Sequence, residues 1–307
     1  MAIILDGKWV RDEILKECRP EVEKLAAALG RPPGLAVVLA GGNPASEIYV
    51  RNKVKTCGEL GIFSEKHTPP ESVSTGELLA LIRDLNRRPE IDGILVQMPL
   101  PKQVDSRAAL EAIAPEKDVD GFHPFNVGRL VAGGAGPRPC TPAGVMELLR
   151  RYEIPVEGRR AVVVGRSDIV GKPMALMLLH RHATVTICHS RTPALAETCA
   201  RADILVAAIG RPAFVRRDFI QPGAAVIDVG INRLADRAAV ETIFAGNPQK
   251  LAAFENNGSV IVGDVHPAEA RETAGAYTPV PGGVGLLTVA MLMVNTIECA
   301  KRRAAGG

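Results

Sequence analysis

None of the six cysteines, at 18, 57, 140, 188, 199 and 299, stands in a C-x-x-C pair, and no cysteine–histidine cluster has zinc spacing. That excludes a zinc-ribbon or thioredoxin-like reading, and no metal is expected. Reduced thiols in a cytoplasmic protein are the reading that remains. Basic blocks are scarce: 37 Lys and Arg stand against 34 Asp and Glu, a net charge of +3, so no nucleic-acid partner is expected. The one cluster, Lys301-Arg-Arg303, lies where a solvated chain end accounts for it. The N-terminus lacks the basic start and uninterrupted apolar stretch of a signal peptide. The longest apolar run, 284–294, is expected to be too short for a membrane span, so no membrane partner is expected. A P-loop, internal repeats and low-complexity segments are all missing. With 47% hydrophobic and 23% charged residues over 307 positions, the chain has the composition of an ordinary globular protein, long enough for two domains with cores of their own.

Alternating strand and helix patterns predict an α/β fold with parallel sheets. In the first part, helical spacing is expected over 8–29, a strand over 35–40, a helix over 49–60 preceded by Ser46, a helix over 77–86 and a strand over 91–96. A second α/β unit opens with a helix over 141–152, for which Thr141 is the expected N-cap and Pro142 the first residue. Its strands are expected over 161–164, 185–187, 204–208, 225–229 and 260–262, with 234–258 as a loop-rich excursion. The expected domains are 1–140, completed by a returning helix over 286–302, and 141–278.

The chemistry concentrates first in Val162-Val-Val-Gly-Arg-Ser-Asp-Ile-Val-Gly-Lys-Pro173. It reads as a doubly buried strand, a sharp turn at Gly165 and a helix that tolerates Pro173 early. Such a helix start attracts a phosphate. The spacing departs from G-x-G-x-x-G: Ser167 holds the second glycine's place and Gly171 follows four residues later. An ordinary βα turn would look the same on the motif alone. The next strand ends without the acidic residue that would hold a ribose 2′-hydroxyl. His189, Ser190 and Arg191 stand there, with Arg166 in the turn, and these suit a 2′-phosphate, so NADP is expected over NAD.

Tyr49 and Lys53, four positions apart, share a helix face. The tyrosine can stack on a flat heteroaromatic ring, and the lysine can move a proton. A surface lysine beside a half-buried tyrosine is the plainer alternative. Short-chain dehydrogenases also carry Tyr-x-x-x-Lys, but after the dinucleotide motif, whereas here it precedes it in a different unit. Gln97 ends a strand, where α/β sheets bind ligands, and its amide can hold the Lys53 amine. In Lys117-Asp-Val-Asp-Gly121, turn capping is the favoured reading for Asp118, and a carboxylate here can accept two hydrogen bonds from an amino-pyrimidine. Thr278-Pro-Val-Pro-Gly-Gly-Val-Gly285 is too dense in proline and glycine for a plain linker; Gly282 and Gly283 let the backbone approach a ligand.

Taken together, Tyr-Val-Arg-Asn-Lys (49–53), Asp-Gly-Ile-Leu-Val-Gln-Met-Pro-Leu-Pro (92–101), Lys-Asp-Val-Asp-Gly-Phe-His-Pro-Phe-Asn-Val-Gly (117–128), Pro-Cys-Thr-Pro (139–142), the 165–173 turn and the 278–285 loop resemble the bifunctional methylenetetrahydrofolate dehydrogenase/methenyltetrahydrofolate cyclohydrolase family, in family order over nearly the whole chain. The resemblance implies two α/β domains with a cleft between them, the second Rossmann-like. It implies Lys53 as the central catalytic residue, tuned by Gln97, with Tyr49 stacking on the folate and Asp120 anchoring the pterin. Ser46, Pro279, Gly282 and Gly283 join the expected folate contacts. NADP contacts are implied for Thr141, Gly165, Arg166, Ser167, Ile169, Val170, His189, Ser190, Arg191, Gly210, Ile231 and Thr278, and so is a homodimer. Two departures from the family stand out: Leu286 replaces the usual proline after Gly-Gly-Val-Gly, and 234–258 is longer than in compact members. Two rival readings are an amino-acid dehydrogenase-like oxidoreductase, which has no use for Tyr49 or the Pro-Val-Pro-Gly-Gly loop, and a non-catalytic NADP-binding protein.

Overall fold

The computed structural model describes residues 2–306. Its strands, in chain order, are β1 (Ile3–Ile4), β2 (Gly34–Val38), β3 (Phe63–His67), β4 (Gly93–Val96), β5 (Arg160–Val164), β6 (Thr184–Cys188), β7 (Ile204–Ala207), β8 (Ala225–Asp228), β9 (Asn232–Leu234), β10 (Val260–Val262) and β11 (Ala276–Tyr277). The chain divides into two compact units: Asp12–Cys140 with Val289–Gly307, and Met1–Arg11 with Thr141–Thr288.

The unit built around residues 12–140 carries a parallel sheet of order β3-β2-β4. Strands β2 and β4 are buried along their whole length, as their unbroken apolar runs require. The edge strand β3, Phe-Ser-Glu-Lys-His, is polar and partly exposed, which is why no strand was expected there. Its sheet packs Val38, Ile94 and Val96 against Leu78, Ile82 and Leu85 of the helix Thr75–Arg87. That helix starts on a capping box between Ser74 and Glu77. Beyond β4 a single parallel bridge pairs Ile94 with Asp118, so the segment carrying Asp118 and Asp120 runs beside the strand that ends at Gln97.

The final helix, Leu287–Gly306, contributes its residues from Val289 onward to this unit. Asn295 donates to the Val119 and Arg138 carbonyls, and Arg303 pairs with the fully buried Asp92, which also accepts from Arg31 and the Gly34 N–H. The apolar run expected to be too short for a span belongs to a longer segment, Val284–Ala305, long and apolar enough by composition to cross a membrane. Most of it is buried in the protein, as in a core helix: Leu292, Met293, Ile297, Cys299 and Ala300 are all among the core residues.

In the other unit six parallel strands run in the order β1-β11-β8-β7-β5-β6. Strand order reverses between β5 and β7, the switch point at which such sheets take up dinucleotides. Residues 2–11, expected with the first domain, belong here. Ile3 pairs with Ala276, and the N–H groups of Leu5 and Gly7 donate to the Tyr277 and Gly282 carbonyls.

Residues 234–258 are not the irregular excursion expected. They form the helices Arg237–Ile243 and Pro248–Asn257, set against the antiparallel β9–β10 ribbon over a small core of Val240, Phe244, Val260 and Val262. The Asn-Pro and Asn-Gly pairs that look like breakers are helix punctuation: Asn247 caps the second helix, Pro248 is among its first residues, and Gly258 ends it in the left-handed region.

Candidate active site

The helix Pro44–Leu60 starts earlier than expected, because Asn43 accepts the Ser46 N–H at 3.2 Å and so takes the capping position. Ser46 is therefore a buried residue of the first turn, not a residue ahead of the helix. One turn on, Tyr49 is 42% exposed and presents its ring, while Lys53 is only 7% exposed. Lys53 Nζ donates to Gln97 Oε1 at 3.0 Å, and Gln97 Nε2 donates to the Met98 carbonyl at 2.8 Å. The second bond fixes which end of the amide faces the lysine. The Gln97 backbone N–H still pairs with the Val38 carbonyl, extending the sheet by one residue, and a cis Met98–Pro99 bond follows.

Asp118 and Asp120 divide the work expected of that segment. Asp118, buried, accepts from the Gly121 and His123 N–H groups and from Asn126 Nδ2, so it caps the turn as the favoured reading had it. Asp120 accepts no hydrogen bond among the described residues. Burial pushes its carboxyl up to about 6; the Lys53 charge acts against that shift and the Asp118 charge adds to it. A carboxyl with free acceptors and an elevated pKa, beside an ammonium held by an amide, is an arrangement for binding and proton handling rather than for stability.

In the other unit, Gly165 ends β5 with φ +135°, and a Cβ there would strike the Ala208 carbonyl. Gly171 opens the helix Gly171–Leu179, where a Cβ would strike the Gly165 carbonyl. The Ser167 hydroxyl accepts from the Val170 and Gly171 N–H groups at 3.2 and 3.3 Å, so it acts as an acceptor within the turn. Arg166, Ser167 and Ile169 are exposed at this turn, with Val170 half-buried. At the end of β6, His189 is partly buried and its Nδ1 accepts the Arg191 N–H, while Ser190 and Arg191 are exposed. Neither Arg166 nor Arg191 forms an ion pair among the described residues.

Gly210 (φ +67°) and Ile231 (49% exposed) lie beyond β7 and β8. Thr141 does not cap its helix, which starts at Cys140; its hydroxyl meets that of Thr288 at 3.2 Å. Thr278 accepts the Asp228 N–H at 2.7 Å and is buried, so its hydroxyl already serves the sheet. The loop after it carries a cis Val280–Pro281 bond, and Gly283 has no room for a side chain against the Pro279 carbonyl.

Sequence reasoning missed Asp228, Asp264 and Asn232. Asp228 accepts from the Gly230, Asp264 and Val265 N–H groups, and burial pushes its carboxyl up to about 7. Asp264, fully buried, accepts from the Ile209, Gly210 and Arg211 N–H groups and from Asn232 Nδ2. No local motif announces most of these bonds; apart from the Gly230 N–H, two positions on from Asp228, the partners lie 32 to 55 positions away.

A buried lysine hydrogen-bonded to a glutamine on one parallel α/β unit and a glycine turn at the switch point of the other define a two-unit α/β enzyme with a Rossmann-like dinucleotide-binding unit. Residues 5–120 match the catalytic-domain model of the tetrahydrofolate dehydrogenase/cyclohydrolase family, and residues 139–304 match its NAD(P)-binding-domain model. The chain belongs to that family. It is 64% identical over 304 residues to the bifunctional protein FolD of Solibacter usitatus, with 99% of each chain covered. The bifunctional FolD methylenetetrahydrofolate dehydrogenase/cyclohydrolase of Campylobacter jejuni has a similar structure, with a TM-score of 0.89 at 43% identity over 99% of this chain and 100% of that one. The Trypanosoma brucei enzyme, solved with NADP and an inhibitor, has a TM-score of 0.87 at 40% identity over 98% of both chains.

Proposed function

We propose that this protein oxidises 5,10-methylenetetrahydrofolate with NADP and hydrolyses the resulting 5,10-methenyltetrahydrofolate to 10-formyltetrahydrofolate. The observation that carries the reading is the hydrogen bond from buried Lys53 to the partly buried Gln97, 3.0 Å long, in the same unit as the elevated Asp120 carboxyl. Tyr49 offers an exposed ring face to the folate, and Asp120 offers two free acceptors to the pterin's amino group and ring N–H. Ser46 lines the same helix, seven positions or about two turns before Lys53.

Oxidation of the one-carbon bridge yields a delocalised cation, so that step asks the protein chiefly for alignment. Hydrolysis asks for proton management as water adds to the methenyl carbon and a C–N bond opens. Lys53, oriented by Gln97, does that work. The residues present fit a dinucleotide phosphate: the glycine turn leaves backbone room, and Arg166, Ser190 and Arg191 are exposed with no carboxylate partner among the described residues. NADP, when bound, supplies the hydride acceptor. Thr141, Gly165, Ser167, Ile169, Val170, His189, Gly210, Ile231 and Thr278 complete the proposed cofactor set, the last through its hold on β8. Pro279, Gly282 and Gly283 form a proposed folate-facing loop. The family resemblance also supports a homodimer, which light scattering would test.

Both reactions assayed with NADP and NAD, beside a panel of amino acids, test the reading. NADPH formation with methylenetetrahydrofolate and loss of methenyl absorbance are expected. Turnover of an amino acid, or NADP binding with no turnover at all, would point instead to one of the rival readings.

A further inference from the structure

Asp264 is a fully buried carboxylate with no cation partner among the described residues. What satisfies it is a run of three successive backbone N–H groups, those of Ile209, Gly210 and Arg211 at 2.6, 2.9 and 2.8 Å, and Asn232 Nδ2 at 2.9 Å. Three such groups in a row, with Gly210 in the left-handed region, form a concave nest of donors that attracts an anion. Here the protein supplies the anion itself. Asp264 is in turn held from behind: its own N–H and that of Val265 donate to Asp228 at 2.8 and 2.9 Å. Gly230 and Gly263 have no space for a Cβ against Asp264 and Asp228 respectively, so the stack is close-packed. One side chain thus ties the loop after β7 to the loop after β8. The outer faces of these loops are open: Gly210 and Arg211 are exposed, and Ile231 is a large apolar residue left 49% exposed.

We propose that Asp264 is a positioning residue for the dehydrogenase reaction, setting the loops 209–211 and 230–232 in register for the nicotinamide half of NADP. The inference rests on the cofactor reading above. If the 2′-phosphate lies at the end of β6, a dinucleotide crossing the switch point brings its other half to the ends of β7 and β8. A carboxylate buried without a counter-ion is costly, and a sheet does not need one to form. A rigid pair of loops beneath a ring that must be aligned for hydride transfer is a use that warrants it.

The test uses the full-length protein, with Asp264→Asn and the milder Asn232→Ala, which removes one donor of the cluster and spares the buried carboxylate. Four quantities are read: dehydrogenase kcat/KM for NADP, NADP affinity, affinity for adenosine 2′,5′-bisphosphate as the adenine-half probe, and cyclohydrolase turnover of methenyltetrahydrofolate without NADP. Both variants are expected to lower dehydrogenase kcat/KM for NADP, by roughly tenfold for Asn232→Ala and up to about a hundredfold for Asp264→Asn. Bisphosphate affinity and cyclohydrolase turnover are expected to stay within about twofold of the parent, against that hundredfold scale. Equal weakening of NADP and the bisphosphate, in step with a lower melting temperature, would make Asp264 a purely structural residue and overturn the inference alone. A parent protein that binds neither NADP nor the bisphosphate would overturn the cofactor reading and this inference with it. If Asp264→Asn does not fold, Asn232→Ala decides by the same comparison.

Discussion

The Lys53 charge acts on the Asp120 carboxyl, and the proposed tasks of the two residues separate by substitution. Lys53→Met keeps the apolar stem and removes the donor to Gln97. Cyclohydrolase turnover is expected to fall by about 10²-fold or more, the usual size of a lost general acid–base, with the dehydrogenase less affected. Near-parental hydrolysis by a folded variant would remove Lys53 from the mechanism. Asp120 carries a pH signature. Its ordinary value is 3.8 and burial raises it to about 6, so the folded state binds this proton more tightly than the unfolded chain does. Stability is therefore lost as pH rises from about 4 to about 6, and above that the cost is on the order of 2–3 kcal/mol. Asp120→Asn abolishes that cost, so it is expected to melt higher than the parent at pH 7.5 and at about the same temperature at pH 4. In the same variant folate-analogue affinity is expected to drop by about 2–4 kcal/mol, because one acceptor becomes a donor facing a donor. In the parent, folate affinity is expected to weaken below about pH 6 as the carboxylate protonates. Melting curves at the two pH values with a folate-analogue titration check all three signs. Tyr49, Lys53 and Gln97 can be picked out of the sequence because helical spacing and a strand end are local patterns. Ser46 and Thr141 mislead for a local reason too: each resembles an N-cap, but Asn43 and a start at Cys140 displace them. Asp228 and Asp264 leave no local trace at all.

Elements buried on both faces are the readable ones. Strands β2, β4, β7 and β8 are wholly buried, and each appears in the sequence as a short apolar run, closed by Asp228 in β8. The polar edge β3 and the two-residue β1 and β11 carry no such signal; sheet partners define them. The helices over 237–257 are hidden because capping residues and turn residues are the same residue types, and only the core beneath them, around Val240 and Phe244, tells the two apart. The turn from β5 into the helix Gly171–Leu179 and the end of β6 act as one element, since Gly165 donates its N–H to the Cys188 carbonyl at 2.9 Å. Replacing Arg166 and Ser190 together by alanine removes an exposed guanidinium and hydroxyl with no ion pair to break. The KM for NADP is expected to rise about tenfold to a hundredfold, the size of a lost charge-assisted contact of roughly 1.5–3 kcal/mol, while that for NAD changes little. Steady-state kinetics with both cofactors check it, and a parent that prefers NAD at equal concentration would refute the choice of cofactor.

On the scale of the whole molecule, the chain leaves the unit of residues 12–140, builds the Rossmann-like unit and returns, so the unit of the proposed folate site is completed by residues from the far end of the sequence. Asn295 is the clearest case. Its Nδ2 donates at 2.7 Å to the Val119 carbonyl, 176 positions away, and at 2.8 Å to the Arg138 carbonyl. Val119 immediately precedes Asp120, so the last helix sets the backbone from which the proposed pterin anchor projects. The amide is buried, as are the Val119 carbonyl it holds and the Cys140 thiol beside it. Asn295→Ala takes the amide donor from both carbonyls, leaving Val119 only the weak Cys140 thiol, and opens a small void, an expected cost of about 2–4 kcal/mol in unfolding free energy. Because the loss falls beside Asp120, folate-analogue affinity is expected to weaken in the folded variant. Affinity for adenosine 2′,5′-bisphosphate, taken up by the other unit, is expected to stay near the parental value. Denaturant unfolding with the two titrations separates these outcomes. A variant that is destabilised but keeps its full folate affinity would mean that Asn295 holds the last helix in place without supporting the site.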